Sequence, residues 1–276
     1  MVVRRDEPFE KGFTSITELD GPHSEMLLDF GILVLEAGET FGDATANRER
    51  AFLLLDGEVE FGFDGKTIRA QRASMLDEGP WALHAAAGSP IEIKAHRRSE
   101  LVVERVDNTQ AFATTLYDPS NVRSQRFGEG TMQETSTRTV RTIFDAATNA
   151  ASGMVLGEVI NHPGKWSSYP PHGHAHPEIY HYRMFPDRGF GFAQAGDEVR
   201  RVTTRDTLLI NGAIPHPQTA APGYAMFYVW MIPHLPNDRF GPDSREFDPT
   251  HTWVMEDGQR FWPDRPMTNS EAGEEL

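Results

Sequence analysis

The chain has 276 residues and a formal net charge of −15, from 41 acidic and 26 basic side chains. This acidic balance argues against binding to nucleic acid, because phosphates require a basic face. The chain contains no cysteine, which excludes disulfides and thiolate metal ligands and favours a reducing, cytoplasmic location.

The first half of the chain is predicted to form short antiparallel strands. Apolar runs such as 26–35 and 51–55 are separated by turns, and Asp56-Gly57 is a hairpin signal. We therefore predict a β-barrel domain over residues 1–115. Its three histidines are not spaced as H-x-H, so we expect this domain to hold no metal ion.

The second half resumes the strand pattern after a less regular stretch. Residues 116–153 are predicted to be a crossover, and residues 154–260 to form a second β domain. Eight of the eleven histidines lie in this half, as expected if this domain carries the chemistry. Residues 261–276 are polar and acidic and are predicted to form a tail. No apolar run approaches the length of a membrane span.

Most of a metal site is predicted in the run Tyr169 to Glu178, which reads Tyr-Pro-Pro-His-Gly-His-Ala-His-Pro-Glu. Alternate side chains of a strand share one face, so His172, His174 and His176 point the same way, and Glu178 joins them if the strand stays regular. Such ligands suit Zn, Mn, Fe(II) or Ni and leave coordination positions for a substrate. The alternative is a solvated, histidine-rich turn.

A further ligand is predicted downstream at His216. It follows an apolar strand at 207–210 and a turn that contains Gly212 and Pro215. In a small antiparallel barrel, strands about forty positions apart can lie side by side, so His216 can meet the histidine run. The alternative is an ordinary surface histidine in a turn.

These motifs give a resemblance to known families. The residues that resemble the two cupin motifs are His172, His174, Glu178, Gly189, Gly212 and His216. A narrower resemblance, to the 5-deoxy-glucuronate isomerase family of myo-inositol catabolism, rests on segments 167–174, 178–183, 189–194 and 220–224. In the first half, segments 33–39 and 53–57 also resemble this family.

The resemblance implies an all-β bicupin, with a metal-free first cupin (1–115) and a metal-binding second cupin (154–260). It implies a metal-dependent aldose–ketose isomerase that converts 5-deoxy-D-glucuronate to 5-dehydro-2-deoxy-D-gluconate. One divalent ion would be held by the residues that match the family's ligands, His172, His174, Glu178 and His216. The spacer before Glu178 is shorter than is usual in the family, which leaves His176 as a competing ligand.

Aldose–ketose isomerisation moves a proton between neighbouring carbons, so it needs an acid, a base and a group that stabilises negative charge on oxygen. Tyr180 and Tyr182 share the inward face with Glu178 if the strand is regular, and we predict these three as catalytic residues. Arg183 is a candidate for binding the substrate carboxylate, although strand alternation points it outward. Gln194 is predicted to bind sugar hydroxyls.

Other functions fit the same motifs. Three histidines and a glutamate also support an Fe(II)-dependent dioxygenase or a metal-dependent lyase, and a cupin can bind a sugar without catalysis. The expected partner is a small sugar acid, with no nucleic acid and no membrane. Strand edges that need covering favour a homo-oligomer.

Overall fold

Residues 1–262 are described by a computed structural model, in which short strands alternate with turns along the whole length. The predicted tail, 261–276, lies outside the described residues from position 263 onward. No helix within 1–262 is long and apolar enough to cross a membrane.

The first ten strands are β1 (Val2–Val3), β2 (Gly12–Thr17), β3 (Asp29–Leu35), β4 (Thr40–Asp43), β5 (Arg48–Phe63), β6 (Lys66–Arg72), β7 (Trp81–Ala85), β8 (Ile91–Ala95), β9 (Ser99–Asp107) and β10 (Thr115–Tyr117). They are followed by β11 (Arg123–Phe127), β12 (Arg138–Phe144), β13 (Met154–Asn161), β14 (Trp166–Ser167), β15 (His172–Gly173), β16 (Glu178–Phe185), β17 (Phe190–Ala195), β18 (Glu198–Thr203), β19 (Thr207–Ile210), β20 (Gln218–Ala220), β21 (Ala225–Pro233) and β22 (Glu246–Phe247). Short 3-10 helices lie at Ser24–Met26, Met132–Glu134, Pro242–Ser244 and Thr252–Met255.

The long strand β5 organises the N-terminal barrel. Its first part pairs with β7 and β9, and its second part pairs with β6 and β8. The predicted hairpin at Asp56-Gly57 is wrong, because β5 continues through these residues. A bulge there shifts the register, so that Phe52 before it and Phe61 after it both pack in the barrel core. One strand thus serves both walls of the first barrel.

The C-terminal barrel is built from two sheets. A seven-stranded sheet has the order β1-β19-β16-β21-β13-β12-β11, and a four-stranded sheet has the order β14-β20-β17-β18. Val159, Tyr182 and Tyr228 belong to the core of this barrel. Strands β11 and β12 lie within 116–153, so the segment predicted as a crossover also supplies two strands of the large sheet. The prediction of an all-β chain with two tandem barrels is confirmed.

The two barrels pack against each other through the outer faces of their large sheets. Phe30 and Val102 from the first barrel share one buried core with Leu156 and Val229 from the second. Because side chains alternate along a strand, the neighbours of these residues point into the barrels instead. Both faces of the large sheets are therefore buried, and their central strands are continuous apolar runs.

A buried ion network crosses this interface. Glu158 on β13 accepts hydrogen bonds from Arg72 of the first barrel at 2.7 and 3.0 Å, and from Arg141 of β12 at 2.7 Å. The side chains of Arg72 and Glu158 have no exposed surface. Arg141 also donates to the backbone carbonyls of Met75 and Glu78. The network thereby joins the loop after β6 to the second barrel.

Removing the carboxylate of this network is expected to destabilise the protein. Glu158→Gln leaves two buried guanidinium groups without a counter-charge, which should lower the free energy of unfolding by about 3–5 kcal/mol. Urea denaturation followed by tryptophan fluorescence measures this loss. The matched control is Glu58→Gln, which breaks the more exposed pair with Arg69 and should cost at most about 1 kcal/mol. Equal costs for both variants would contradict the importance of the network.

Candidate metal centre

Strand β16 carries the central residues of the site. It lies between β19 and β21 in the large sheet of the second barrel, and its side chains alternate as predicted. Glu178, Tyr180 and Tyr182 point into the barrel, whereas His181 and Arg183 point outward. The outward face meets the first barrel rather than solvent, which explains why all five residues are buried.

Three of the predicted ligands meet inside the barrel. Nε2 of His174 lies 3.1 Å from Oε2 of Glu178, and Nε2 of His216 lies 3.2 Å from the same oxygen. The three residues are almost completely buried, and their ligand atoms all lie within 4.8 Å of one another. Ligand atoms bound at about 2.0–2.2 Å to one first-row metal ion are themselves about 3 Å apart. The cluster therefore fits a metal ion.

The turn before His216 is held close to the histidine run by backbone contacts. Ile210, the last residue of β19, pairs with Glu178, and the amide of Ala213 donates to the carbonyl of His174. A Cβ atom at Gly212 would lie 1.9 Å from the carbonyl oxygen of Ala175. Only glycine permits this approach, so the Gly212 turn places His216 opposite Glu178.

The hydrogen bonds of His216 indicate which of its nitrogens can bind a cation. Nδ1 lies 2.9 Å from the carbonyl oxygen of Ile214 and must carry a proton to bond with it. In the neutral ring, Nε2 then has a lone pair that faces the carboxylate of Glu178. Two lone pairs repel at this distance, so the arrangement requires a cation between them, either a proton or a metal ion. Metal-binding histidines are commonly oriented by a backbone carbonyl in this way.

The pKa values of Glu178 and His216 reflect the hydrogen bonds between the carboxylate and the imidazoles. Burial alone would raise the pKa of Glu178, but its hydrogen bonds with His174 and His216 outweigh burial and lower the pKa below the usual range. Burial would lower the pKa of His216, but the hydrogen bond with Glu178 raises it. Glu178 is therefore an anion at neutral pH, as a metal ligand must be.

His172 and His176 differ in their placement. His172 lines the same cavity, with its ring centroid 5.4 Å from that of His216, and burial lowers its pKa to about 4. Its Nδ1 bonds to the carbonyl of Pro170 at 2.9 Å, which leaves a neutral Nε2. It lies outside the three-residue cluster, so its role as fourth ligand stays a prediction.

Nε2 of His176 lies 2.8 Å from the carbonyl of Asp238, so the geometry favours Glu178 over His176 as a ligand.

A cavity of about 650 Å³ opens beside the cluster. Tyr180 and Tyr228 line it, with their hydroxyls 3.5 Å from Ser168 Oγ and 3.0 Å from Ser167 Oγ. Burial raises the pKa of Tyr180 well above its usual value and that of Tyr228 to about 12. Both hydroxyls are therefore protonated at neutral pH, and that of Tyr228 donates its proton to Ser167 Oγ.

The structure places three other predicted site residues away from this cavity. The hydroxyl of Tyr182 donates to Gln218 at 2.6 Å in the barrel core. Arg183 forms an ion pair with Glu100 of the first barrel, because strand alternation directs it to the interface. Gln194 donates to the carbonyl of Gly196 at 2.8 Å. None of the three is among the described residues that line the cavity.

The cavity residues that the sequence reasoning missed include Tyr228, Arg138 and Arg245. Tyr228 lies on β21, next to β16, and Arg138 is the first residue of β12. Strand alternation could have grouped Arg138 with Val140 and Thr142 on one face, but not shown that this face lines the cavity. Arg245 lies just before the short strand β22, which pairs with β15. The sequence around Arg245 has no alternating pattern that would have predicted its place in the cavity.

Comparison with known proteins agrees with this architecture. The KduI/IolB family profile matches residues 1–254. A 5-deoxy-glucuronate isomerase from Geobacillus kaustophilus (strain HTA426) is 28% identical over 250 residues, which cover 82% of this chain and 85% of that protein.

Solved structures share the fold. The crystal structure of an IolB-like protein from Salmonella typhimurium LT2 superposes with a TM-score of 0.81 and 20% sequence identity, covering 92% of this chain and 99% of that one. A cupin 2 conserved barrel domain protein from Leptotrichia buccalis gives a TM-score of 0.52 at 12% identity, covering 82% and 91% of the two chains. The two barrels are therefore cupin barrels.

The cluster geometry predicts which residues control metal binding. His174→Gln, Glu178→Gln and His216→Gln should each weaken the binding of a divalent ion by more than about 100-fold, because even the loss of a residue that orients a ligand costs 10–100-fold. Competition with a chromogenic chelator measures the affinity. His176→Gln is the matched control, since it keeps a donor for the Asp238 carbonyl and should bind metal as the wild type does. A loss of affinity in this control equal to that of His174→Gln would contradict the assignment.

Proposed function

The chain belongs to the KduI/IolB family, and on that premise we propose that it is a metal-dependent aldose–ketose isomerase that acts on a uronate-like sugar acid. The proposed reaction converts 5-deoxy-D-glucuronate to 5-dehydro-2-deoxy-D-gluconate, as the name of the relative from Geobacillus kaustophilus suggests. The observation that carries the proposal is the buried Glu178 carboxylate, which faces two imidazoles at the wall of a cavity lined by two tyrosine hydroxyls.

The residues of the cluster would hold one divalent ion, with Zn, Mn, Fe and Ni as the candidates given by the ligand types. His174, Glu178 and His216 would be three of its ligands, and His172 is proposed as the fourth, because the bond of its Nδ1 to Pro170 leaves Nε2 neutral and available. Such an ion would supply Lewis-acid polarisation of the sugar carbonyl. Burial of the cluster excludes bulk water, which strengthens each electrostatic contact at the reacting carbons.

Tyr180 and Tyr228 are proposed to stabilise the enediol oxygens. Their raised pKa values keep both hydroxyls protonated, so they can donate hydrogen bonds to an oxygen on which negative charge develops. Preorganised donors of this kind are a large source of rate enhancement in enzymes. The hydroxyl of Tyr228 donates to Ser167 Oγ and would turn from it to a substrate oxygen, whereas the hydroxyl of Tyr180 lies 3.5 Å from Ser168 Oγ. The chain's own contribution would thus be two tyrosine donors in the cavity wall.

The cytoplasmic location and the homo-oligomeric state are part of the same proposal. The location is supported by the absence of cysteine. Edge strand β11 is exposed along its whole length and lines the cavity with Arg123, Gln125 and Phe127. Coverage of this edge by a second copy would satisfy its unpaired backbone groups.

The proposed activity can be tested directly. Purified protein loaded with Zn, Mn, Fe or Ni in turn should convert 5-deoxy-D-glucuronate to the ketose, and chelation of the metal should abolish conversion. Appearance of the ketose followed by NMR measures the reaction. Absence of product with each metal would contradict the isomerase, and oxygen consumption with another acid would favour a cupin dioxygenase.

Mutation can distinguish the roles of the three tyrosines, because Tyr180 and Tyr228 line the cavity and Tyr182 lies in the barrel core. Tyr180→Phe and Tyr228→Phe should lower kcat by about 100-fold, because each removes one donor to the developing oxyanion. Tyr182→Phe should leave kcat near the wild-type value and lower thermal stability, since its hydroxyl bonds to Gln218 in the core. Steady-state kinetics and thermal melting of the three variants provide the comparison. A large loss of kcat in Tyr182→Phe would restore the catalytic role that strand alternation predicts for it.

A further inference from the structure

The cavity concentrates positive charge in a protein that is strongly acidic overall. Arg123, Arg138 and Arg245 all line it, although the chain has a net charge of −15. Arg123 is neutralised by an ion pair with Asp145. Within residues 1–262, Arg138 and Arg245 form no ion pair with a carboxylate. Glu178 does not neutralise them, because its carboxylate already faces His174 and His216.

Arg138 is held in the cavity wall by neutral groups. Its guanidinium donates to the backbone carbonyl of Ser136 at 2.8 Å and to the Ser136 hydroxyl at 3.1 Å, and it lies 5.6 Å from the ring of Phe127. The side chain is half-buried. These contacts fix the orientation of the guanidinium and leave its charge without a counter-ion.

Arg245 reaches the same cavity from the segment that follows the second barrel. It lies between the 3-10 helix Pro242–Ser244 and strand β22. In the β15–β22 ladder, Phe247 pairs with His172 and Glu246 pairs with Gly173. The ladder ends there, and Arg245, two residues before Phe247, lines the same cavity as His172 and His174. The strand pairing thus brings the segment that carries Arg245 to the cavity wall.

The two guanidinium groups act on each other. Burial is the main factor that lowers the pKa of Arg138; Tyr228 opposes this shift, and repulsion from Arg245 adds to it. Two cations that face one cavity without an anion between them raise the free energy of the empty site. A bound anion relieves this repulsion, and the planar forks of two arginines match the oxygens of a carboxylate.

We propose that Arg138 and Arg245 form a carboxylate clamp, which binds the acid group of the substrate and places the aldehyde end at the His174, Glu178 and His216 cluster. This inference rests on the proposed function, since it assigns the carboxylate of the sugar acid to the two arginines and its aldehyde end to the cluster. It replaces the prediction for Arg183, whose charge is already paired with Glu100. The clamp makes the site specific for a uronate over the corresponding neutral aldose.

The experiment compares two substrates in four proteins. The substrates are 5-deoxy-D-glucuronate and its neutral counterpart 5-deoxy-D-glucose, which carries a hydroxymethyl group in place of the carboxylate. The proteins are the wild type, Arg138→Gln, Arg245→Gln and Arg126→Gln. Arg126 is the matched control, because it lies on β11 next to the cavity-lining Gln125 and Phe127 but points away from the cavity.

Each clamp variant should lower kcat/KM for the acid by about 10- to 100-fold, the usual range for the loss of a hydrogen bond to a charged group. The loss should appear mainly in KM, and kcat/KM for the neutral aldose should change little. A fifth protein, Arg138→Lys, should recover part of the loss seen in Arg138→Gln, because it restores the charge without the fork. Arg126→Gln should retain the acid preference of the wild type.

An unchanged ratio of acid to neutral kcat/KM in both clamp variants would overturn the proposal. Arg245 is exposed, so its variant should fold even if Arg138→Gln does not. If the wild type converts neither substrate, the isomerase proposal fails, and calorimetry of the unreacted acid then tests the clamp by itself. Weaker binding to the two clamp variants than to Arg126→Gln would support the clamp. Equal binding to all four proteins, or binding to none, would refute it.

Discussion

The buried carboxylate of Glu178 is the interaction on which the site depends. An anion taken out of water must be paired, because the cost of an uncompensated buried charge is several kcal/mol. Its partners are two imidazoles from different parts of the chain, one four residues before it and one 38 residues after it. The backbone around them is adapted to this pairing, most clearly at Gly212, where the closeness of the Ala175 carbonyl excludes any side chain. The pairing of this one charge therefore brings together residues from separate parts of the chain at the candidate site.

The strands that form the site also form the contact between the barrels. Along β16, Glu178 and Tyr180 face the cavity, whereas His181 and Arg183 face the first barrel. The same division holds on β13, where Val159 faces inward and Glu158 binds Arg72 across the interface. A shift of one residue in either strand would exchange these two sets. The first barrel therefore fixes the register of the strands that carry the chemistry, although no residue of 1–115 lines the cavity.

Local alternation and motif spacing were sufficient to predict part of this arrangement. They gave the all-β class, the inward direction of Tyr180 and Tyr182, the outward direction of Arg183, and the meeting of His174, Glu178 and His216. They failed where the answer depends on packing between distant segments. Tyr182 points inward as predicted, but it lies in the barrel core away from the cavity, where its hydroxyl donates a hydrogen bond to Gln218. Arg138 and Arg245 were missed because only the order of strands in the folded sheets brings β12 and the segment before β22 to the cavity, and the sequence does not reveal that order. The sequence Asp56-Gly57 predicts a hairpin turn, but in the structure strand β5 continues through these residues with a bulge.

The distribution of charge explains how an acidic protein can select an acidic ligand. At physiological ionic strength, interactions between exposed charges are screened beyond about 8 Å, whereas those inside a cavity of low dielectric are not. The net charge of the chain therefore has little influence inside the cavity, where Arg138 and Arg245 form no ion pair with a carboxylate among residues 1–262. A neutral sugar would leave the arginines unpaired, and a sugar acid pairs them. The two arginines suit the carboxylate of such a ligand, and a cation held by His174, Glu178 and His216 would suit the oxygen on which negative charge develops.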